Sequence, residues 1–108
     1  MKDGIYKVTF DSNVNRNGRC DGIITITDGK VSGGDYVCFY RGTLTEDKIE
    51  LQVVRHNPND TTVFNGVDDV TLQLAIKEMH GGAVFNGAVK GQSSLTISGG
   101  MHFLSDLV

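Results

Sequence analysis

Two adjacent carboxylates, Glu46 and Asp47, are the residues of this chain best suited to contact another molecule. They lie in the sequence Thr45-Glu46-Asp47-Lys48, between two segments in which apolar and polar residues alternate. Such a polar stretch predicts the tip of a β-hairpin, where a side chain can meet a partner without disturbing the core. Carboxylates at this tip accept charge-assisted hydrogen bonds from lysine and arginine side chains. The alternative interpretation is a surface turn that is simply solvated.

Catalytic and metal-binding chemistry has no support from motifs. The sequence contains no H-E-x-x-H, G-x-S-x-G, Walker A or G-x-G-x-x-G pattern, and His56, His80 and His102 are scattered without metal-ligand spacing. Cys20 and Cys38 lack C-x-x-C spacing, and we interpret them as reduced, partly buried thiols. We therefore expect a protein with no enzymatic activity, no metal site and no cofactor.

The composition predicts one β-rich domain over residues 1–108. Valine, isoleucine and threonine make up 28 of the 108 residues, and branched side chains favour a pleated strand over a helix. The net charge of −3 disfavours direct binding to nucleic acid. Because no apolar run is long enough for a transmembrane helix or a signal peptide, we expect a cytoplasmic protein.

Apolar and polar residues alternate in segments that recur roughly every ten to fifteen residues, as in strands with one apolar face. Asp28-Gly29 predicts a type I′ hairpin, and Gly33-Gly34-Asp35 predicts a turn or bulge, with an anion-binding nest as the alternative. We expect Tyr36 to face inward in its strand and Gly99-Gly100 to separate two short final segments. About eight strands predict an antiparallel up-and-down β-barrel, with a two-layer sheet as the alternative.

The interior of such a barrel is the subject of two hypotheses. Its side chains either fill it or line a cavity for a small apolar molecule such as a fatty acyl chain, which would make the protein a carrier or sensor. Filling is favoured because a large empty cavity is hard to sustain in a chain of this size. The residues predicted to line a cavity are Tyr6, Phe10, Tyr40, Leu72 and Leu74. The outward apolar residues expected to meet a second subunit are Val37, Phe39 and Val54.

The first 66 residues contain a more specific set of landmarks. They are Met1-Lys2-Asp3-Gly4-Ile5-Tyr6, Phe10, Ser12-Asn13, Gly22-Ile23, Gly29, Gly33-Gly34-Asp35, Gly42, Leu44, Glu46-Asp47, Leu51, Val53, Arg55, Asn57 and Val63-Phe64. Together these residues resemble the GrlR family, whose members are negative regulators of type III secretion gene expression. After residue 66 the resemblance is one of pattern only.

The resemblance implies a lipocalin-like β-barrel that forms a homodimer and has no enzymatic activity. It also implies a bacterial repressor that binds a transcriptional activator and keeps it from its promoter. In the family, an exposed Glu-Asp-Glu-Asp stretch is tied to this contact. Here Glu46-Asp47 match its first half, and Lys48-Ile49 stand in place of its second half. The implied partners are a DNA-binding activator and a second copy of the chain, with no direct binding to nucleic acid or membrane.

Overall fold

The computed structural model describes residues 1–14, 20–58 and 68–108. Val63-Phe64, which contribute to the family resemblance, lie outside the described residues. The described residues form eight strands. They are β1 (Gly4–Ser12), β2 (Cys20–Thr27), β3 (Lys30–Gly34), β4 (Cys38–Thr45), β5 (Lys48–Arg55), β6 (Asp69–Met79), β7 (Gly82–Val89) and β8 (Gln92–Ser105).

The eight strands close into a barrel. Each strand pairs antiparallel with the next along the chain, and β8 pairs with β1. The predicted all-β, up-and-down antiparallel barrel is therefore confirmed, and the two-layer sheet is excluded. The register offset of the barrel is found by stepping from each residue to its paired residue on the next strand. A path that starts at Asp69 in β6 and goes once round the barrel ends at Met79 in β6, ten residues further along the strand. For eight strands this offset corresponds to a strand tilt of about 40° from the barrel axis.

Alternation along each strand separates the core from the outer wall. In β6, every second side chain from Val70 to Ile76 is buried, while its neighbours Gln73 and Ala75 are exposed. Ile26 and Ile49 are the largest fully buried side chains. Full burial of one such aliphatic side chain contributes about 1.5–3 kcal/mol, so the apolar faces that the sequence pattern indicated supply the main driving force for closure.

The connections between strands lie at two rims of the barrel. The tight-turn rim consists of residues 1–3, 28–29, 46–47, 80–81 and 106–108. The loop rim includes the described residues 13–14, 35–37, 56–58 and 90–91. Any two connections that follow each other along the chain lie at opposite rims, because successive strands run in opposite directions.

Two of the tight turns contain non-glycine residues with left-handed backbone conformations. Asp28 and Gly29 have φ angles of 50° and 75°, as the predicted type I′ turn requires. Glu46 has φ of 55°, which is unusual for a side chain of this kind and costs about 1 kcal/mol or more. The predicted hairpin loop at residues 45–48 is confirmed as a two-residue turn between β4 and β5.

The prediction that Gly99-Gly100 separate two segments is wrong, because β8 runs unbroken through both glycines. Gly99 serves close packing between strands: a Cβ atom there would collide with the carbonyl oxygen of Thr9 and lie 2.9 Å from Cα of Phe10. The glycine is therefore a site of close backbone approach inside a strand.

The inward orientation predicted for Tyr36 is also wrong. Strand β4 begins at Cys38, and Tyr36 lies in the preceding turn with 76% of its surface exposed. The carboxylate of Asp35 accepts hydrogen bonds from the backbone N–H groups of Val37 and Cys38, each at 2.7 Å. These bonds hold the chain in a turn and interrupt the alternation before Cys38.

Candidate functional site

The predicted contact residues Glu46 and Asp47 form the exposed tip of the β4–β5 hairpin. The tip is fastened to the barrel, because the backbone N–H of Ile76 donates to the carbonyl oxygen of Asp47 at 2.7 Å. Glu46 keeps its left-handed conformation within this anchored turn. Both carboxylates are therefore presented to solvent from a fixed backbone.

Two further acids lie on the same rim. The carboxylate of Asp3 accepts a hydrogen bond from the backbone N–H of Asp28, with both oxygens at 3.3 Å from that nitrogen. The Asp28-Gly29 turn in turn contacts β4, because the N–H of Leu44 donates to the carbonyl oxygen of Gly29 at 2.7 Å. A continuous arc of the tight-turn rim thus carries four carboxylates. We call Asp3, Asp28, Glu46 and Asp47 the acidic arc.

All four side chains of the acidic arc are exposed, and none of them forms an ion pair with a described residue. Two other charged pairs lie near this rim, while Lys30 and Lys48, which follow the two turns, are exposed. The amino group of Met1 lies 3.1 Å from a carboxylate oxygen of Glu78, and Nζ of Lys2 lies 3.4 Å from Asp106. The arc therefore keeps a concentration of negative charge that a cationic surface can meet.

The inside of the barrel contains an apolar cavity of about 50 Å³. Four of the predicted cavity residues line it, namely Phe10, Tyr40, Leu72 and Leu74. The other lining residues are Val8, Ile24, Val31, Ile49, Leu51, Val53, Phe85, Ile97 and Met101. Tyr6 is buried but does not belong to this lining: its ring packs edge-on against Phe103 with centroids 5.4 Å apart, and its hydroxyl donates to the carbonyl oxygen of Lys2.

The volume of the cavity limits what it holds without rearrangement. Pockets that enclose drug-sized ligands have volumes of about 300–1,000 Å³, several times larger than this cavity of about 50 Å³. A fatty acyl chain would have to displace core side chains such as Leu72 and Leu74. Packing of this kind is costly to disturb, because a closely packed interior has few alternative arrangements.

The loop-rim end of the interior is closed by a tyrosine–carboxylate pair. The hydroxyl of Tyr40, whose ring is buried, donates a hydrogen bond to the carboxylate of Asp35. Burial raises the pKa of Tyr40 above its ordinary value, and the hydrogen bond to Asp35 raises it further. Gly22 leaves room for the pair, because a Cβ atom there would lie 2.9 Å from the Tyr40 hydroxyl.

The backbone contacts of Gly33-Gly34-Asp35 bear on the alternative interpretation of this triplet as an anion nest. Gly33 and Gly34 pair with β2 and β4, and the backbone N–H of Asp35 donates to the carbonyl oxygen of Cys38 at 2.8 Å. The segment is further held by His56, whose ring Nε2 lies 2.9 Å from the carbonyl oxygen of Asp35. These contacts favour the structural interpretation, a turn, over a nest for an external anion.

The described thiols and imidazoles do not assemble into a reactive group. Cys20 and Cys38 are free thiols, and burial, with a smaller effect of the Asp35 charge, raises the pKa of Cys38 from 9.0 to about 11. A thiol with this pKa is almost entirely protonated near neutral pH and is a poor nucleophile. Within residues 1–14, 20–58 and 68–108, no three His, Cys, Asp or Glu side chains are grouped so as to hold a metal ion.

Sequence reasoning recognised only half of the acidic arc. Glu46 and Asp47 are adjacent in the chain, whereas Asp3 and Asp28 come beside them through strand pairing and turn contacts. The Asp28-Gly29 hairpin signal was the one available indication, since it located Asp28 at a rim. Counting the strand reversals from β2 to β5 then places Asp28 at the same rim as Glu46 and Asp47.

Comparison with models of known protein families finds no match, and no curated protein is significantly similar to the chain. The resemblance of residues 1–66 to the GrlR family therefore stays a prediction. In the part of the chain that the structure describes, no helix has the length and apolar character needed to cross a membrane.

Proposed function

We propose that this protein is a non-enzymatic regulator that acts by binding another protein through the acidic arc. The observation that carries the proposal is the grouping of four exposed carboxylates on one rim, none paired with a described cation. Charges fixed on an ordered barrel end steer an oppositely charged partner and fix its orientation. The site therefore fits a protein with a basic surface.

A DNA-binding protein is the partner class that best matches this chemistry. Such proteins carry clustered lysine and arginine side chains that neutralise DNA phosphates. Carboxylates bound to the same side chains compete directly with the phosphates, so the complex and the DNA contact exclude each other. Together with the family resemblance, this points to a negative regulator of a bacterial transcriptional activator that controls type III secretion genes. The role requires a cytoplasmic location, because the activator works at its promoter.

The acidic arc also provides a substitute for the two acids that this chain lacks in the family's acidic stretch. Lys48 and Ile49 stand where that stretch has its second pair of acids. The arc supplies two other carboxylates on the same rim, from Asp3 and Asp28. A basic partner surface meets four acids in either arrangement, although here they come from three separate segments of the chain.

Two observations favour this role over the others considered. The cavity of about 50 Å³ is small for a lipid carrier, and the raised pKa of Cys38 makes its thiol a poor catalytic nucleophile. The acidic arc, by contrast, is accessible without any rearrangement of the barrel.

The proposal is tested by reversing charges on the arc. Wild-type protein and a Glu46→Lys, Asp47→Lys variant are used for pull-down from the cytosol of the source bacterium, and the captured protein is then purified and titrated. The control is Asp21→Lys, Asp68→Lys, which changes the net charge of −3 by the same amount but lies away from the tight-turn rim. It also removes the ion pairs of these acids with Lys7 and Arg55. Thermal unfolding establishes that both variants are folded.

We expect the arc variant to bind its partner at least tenfold more weakly than wild type at about 0.1 M salt, and with a flatter salt dependence. The control should lose less than about threefold in affinity. Equal losses in the two variants, or no loss in either, would contradict the assignment of the contact to the arc. A captured partner that does not bind DNA would contradict the regulatory part of the proposal.

A further inference from the structure

The outer wall of the barrel carries a group of exposed apolar side chains at its tight-turn end. Met79, Val84 and Leu104 are 56%, 42% and 49% exposed. They come from three neighbouring strands, β6, β7 and β8. Single exposed apolar residues are common on proteins, whereas a group on adjacent strands marks an interaction surface. We call Met79, Val84 and Leu104 the rim patch.

Strand register brings two members of the rim patch together beside a glycine. Gly82 pairs with Met79 on one side and with His102 on the other. Val84 follows in β7 on the same face of the sheet, because the residues on either side of it, Ala83 and Phe85, are buried. Gly82 has no side chain of its own, so the wall is lowest between these neighbours.

The third member, Leu104, is held beside the turn that joins β6 and β7. The backbone N–H of Phe103 donates to the carbonyl oxygen of Gly81 at 2.9 Å. A Cβ atom at the next residue, Gly82, would collide with the carbonyl oxygen of Met101. The rim patch is therefore a shallow apolar depression on an ordered part of the wall.

The rim patch adjoins the acidic arc. Asp47 of the arc contacts β6 through the hydrogen bond of 2.7 Å between its carbonyl oxygen and the N–H of Ile76. Met79 lies three residues further along the same strand, a distance of about 10 Å at the usual rise of a strand. An α-helix with its side chains is about 10–12 Å across. One helix laid against the rim therefore reaches both the arc and the patch.

A like charge limits how such a helix can lie. Lys77 is exposed and pairs with Val84, so it borders the rim patch on the side away from the tight-turn rim. A cationic side chain of the partner is repelled by Lys77 and attracted by the arc. These charges orient the helix with its cations toward the rim and its apolar side chains over the patch.

We propose that the rim patch and the acidic arc together bind one amphipathic helix of the partner protein. The helix carries lysine or arginine side chains along one stripe and large apolar side chains along the adjacent stripe, at the i, i+3, i+4 spacing of a docking helix. The cationic stripe meets the arc, and the apolar stripe covers Met79, Val84 and Leu104. Charge supplies attraction and orientation, and burial of apolar surface adds affinity that depends little on salt.

This inference rests on the proposed function, since it specifies the element that the partner of the arc contributes. The two are nevertheless separable by experiment. Loss of the arc weakens attraction at low salt, whereas loss of the patch weakens binding only to a partner with apolar side chains to bury.

The test uses synthetic helical peptides of about five turns as defined probes. The first carries lysines along one face and leucines along the adjacent face. The second has alanine in place of every leucine, and the third has glutamine in place of every lysine. Isothermal titration calorimetry at about 0.1 M and about 0.4 M salt measures their affinities for the full chain.

The patch variant is Met79→Gln, Val84→Thr, Leu104→Asn, in which each substitution replaces an exposed apolar side chain by a polar one of similar size. The matched control is Ile23→Thr, Phe39→Gln, which removes apolar side chains that are 44% and 39% exposed on another part of the outer wall. Circular dichroism and thermal unfolding establish that each variant is folded. The comparison of the three peptides on wild-type protein does not depend on any variant.

We expect wild type to bind the leucine–lysine peptide at least tenfold more tightly than either of the other two peptides. The patch variant should lose at least tenfold for this peptide but less than threefold for the alanine peptide, and the control should lose less than threefold for both. The Glu46→Lys, Asp47→Lys variant should bind both lysine peptides more weakly, with a flatter salt dependence.

Wild-type protein that does not bind the leucine–lysine peptide, or that binds the alanine peptide equally well, would overturn the inference. Equal losses in the patch variant and the control would also overturn it. A loss in the arc variant with none in the patch variant would overturn the inference and leave the proposed function standing. A loss in the patch variant with none in the arc variant would contradict both.

Other occupants of the rim patch are distinguished by sedimentation of wild type and the patch variant, alone and with phosphatidylglycerol vesicles. If the patch substitutions abolish self-association of wild type, the patch belongs to a second copy of the chain. If they abolish binding to the vesicles, it belongs to a lipid surface. Either result, with peptide binding unchanged, would overturn the assignment to a helix.

Discussion

Substitution of Tyr40 by phenylalanine isolates the hydrogen bond that closes the loop-rim end of the barrel. The change removes only the hydroxyl that donates to Asp35. The ring remains buried, and its edge-on contact with Phe10, at 6.5 Å between centroids, is kept. Asp35 continues to accept the two backbone bonds at 2.7 Å that shape the turn before β4. The perturbation is therefore the loss of one donor to a partly buried carboxylate.

The expected cost follows from the charge of the acceptor. A hydrogen bond to a charged group contributes about 1.5–3 kcal/mol, compared with about 1 kcal/mol for a neutral pair. For a domain of this size, 1 kcal/mol corresponds to a change in Tm of about 4 °C. We therefore expect Tyr40→Phe to lower the Tm by about 6–12 °C.

Thermal unfolding followed by circular dichroism measures this effect, with Tyr36→Phe as the matched control. Tyr36 lies in the same turn but is 76% exposed, so removal of its hydroxyl should change the Tm by less than about 2 °C. Equal Tm values for the two variants would refute the assigned role of the Tyr40–Asp35 pair.

The same pair predicts the behaviour of the protein at alkaline pH. Because burial and the Asp35 hydrogen bond raise the pKa of Tyr40 in the folded state, the unfolded chain loses this proton first as pH rises. The stabilisation is fully present below the ordinary pKa of 10.0 and is lost progressively above it. The free energy of unfolding of wild type should therefore fall more steeply above about pH 10 than that of Tyr40→Phe, as urea titrations at successive pH values would measure.

Two further predictions concern Cys38 and Glu46. The pKa of Cys38, raised from 9.0 to about 11, corresponds to about 100-fold less thiolate near neutral pH. In a Cys20→Ser variant, a disulfide reagent should therefore label the native protein at least 100-fold more slowly than the denatured protein. Similar labelling rates would contradict the burial of this thiol. Glu46→Gly should raise the free energy of unfolding by about 0.5–1 kcal/mol, because glycine adopts the φ of 55° without strain, whereas Glu46→Ala should bring no gain. A gain in both variants, or in neither, would contradict the assignment of backbone strain to the φ angle of Glu46.

Much of the fold followed from periodicity, because each strand has one face in the core. The alternation from Val70 to Ile76 predicted an inward and an outward face, and both are present in β6. Asp28-Gly29 predicted its turn because few other residue pairs adopt two successive left-handed conformations. Closure of the sheet was predictable because every strand had an apolar face to bury and no helices were available to cover it.

The failures occurred where side chains override the pattern of alternation. Tyr36 follows the same period as Tyr40, but the Asp35 carboxylate captures the intervening backbone N–H groups and forms a turn. Gly99 has the composition of a turn, yet its missing side chain is needed for contact with β1. The approach of Asp3 to Asp28 depends on lateral pairing of β1 with β2, which residue spacing within one segment does not reveal.

The seam between β1 and β8 has a consequence for how the molecule assembles. Of the eight strands of the barrel, β1 is synthesised first and finds its second neighbour only when β8 has been synthesised, so one edge of β1 stays unpaired until then. Pairing between strands so far apart in the chain makes folding slow relative to helical proteins of similar size. In a chain that lacks β8, the unpaired edge of β1 is also open to pairing with another chain. Chains that end before β8 therefore expose the unpaired edge of β1, and we expect them to aggregate more readily than the closed barrel.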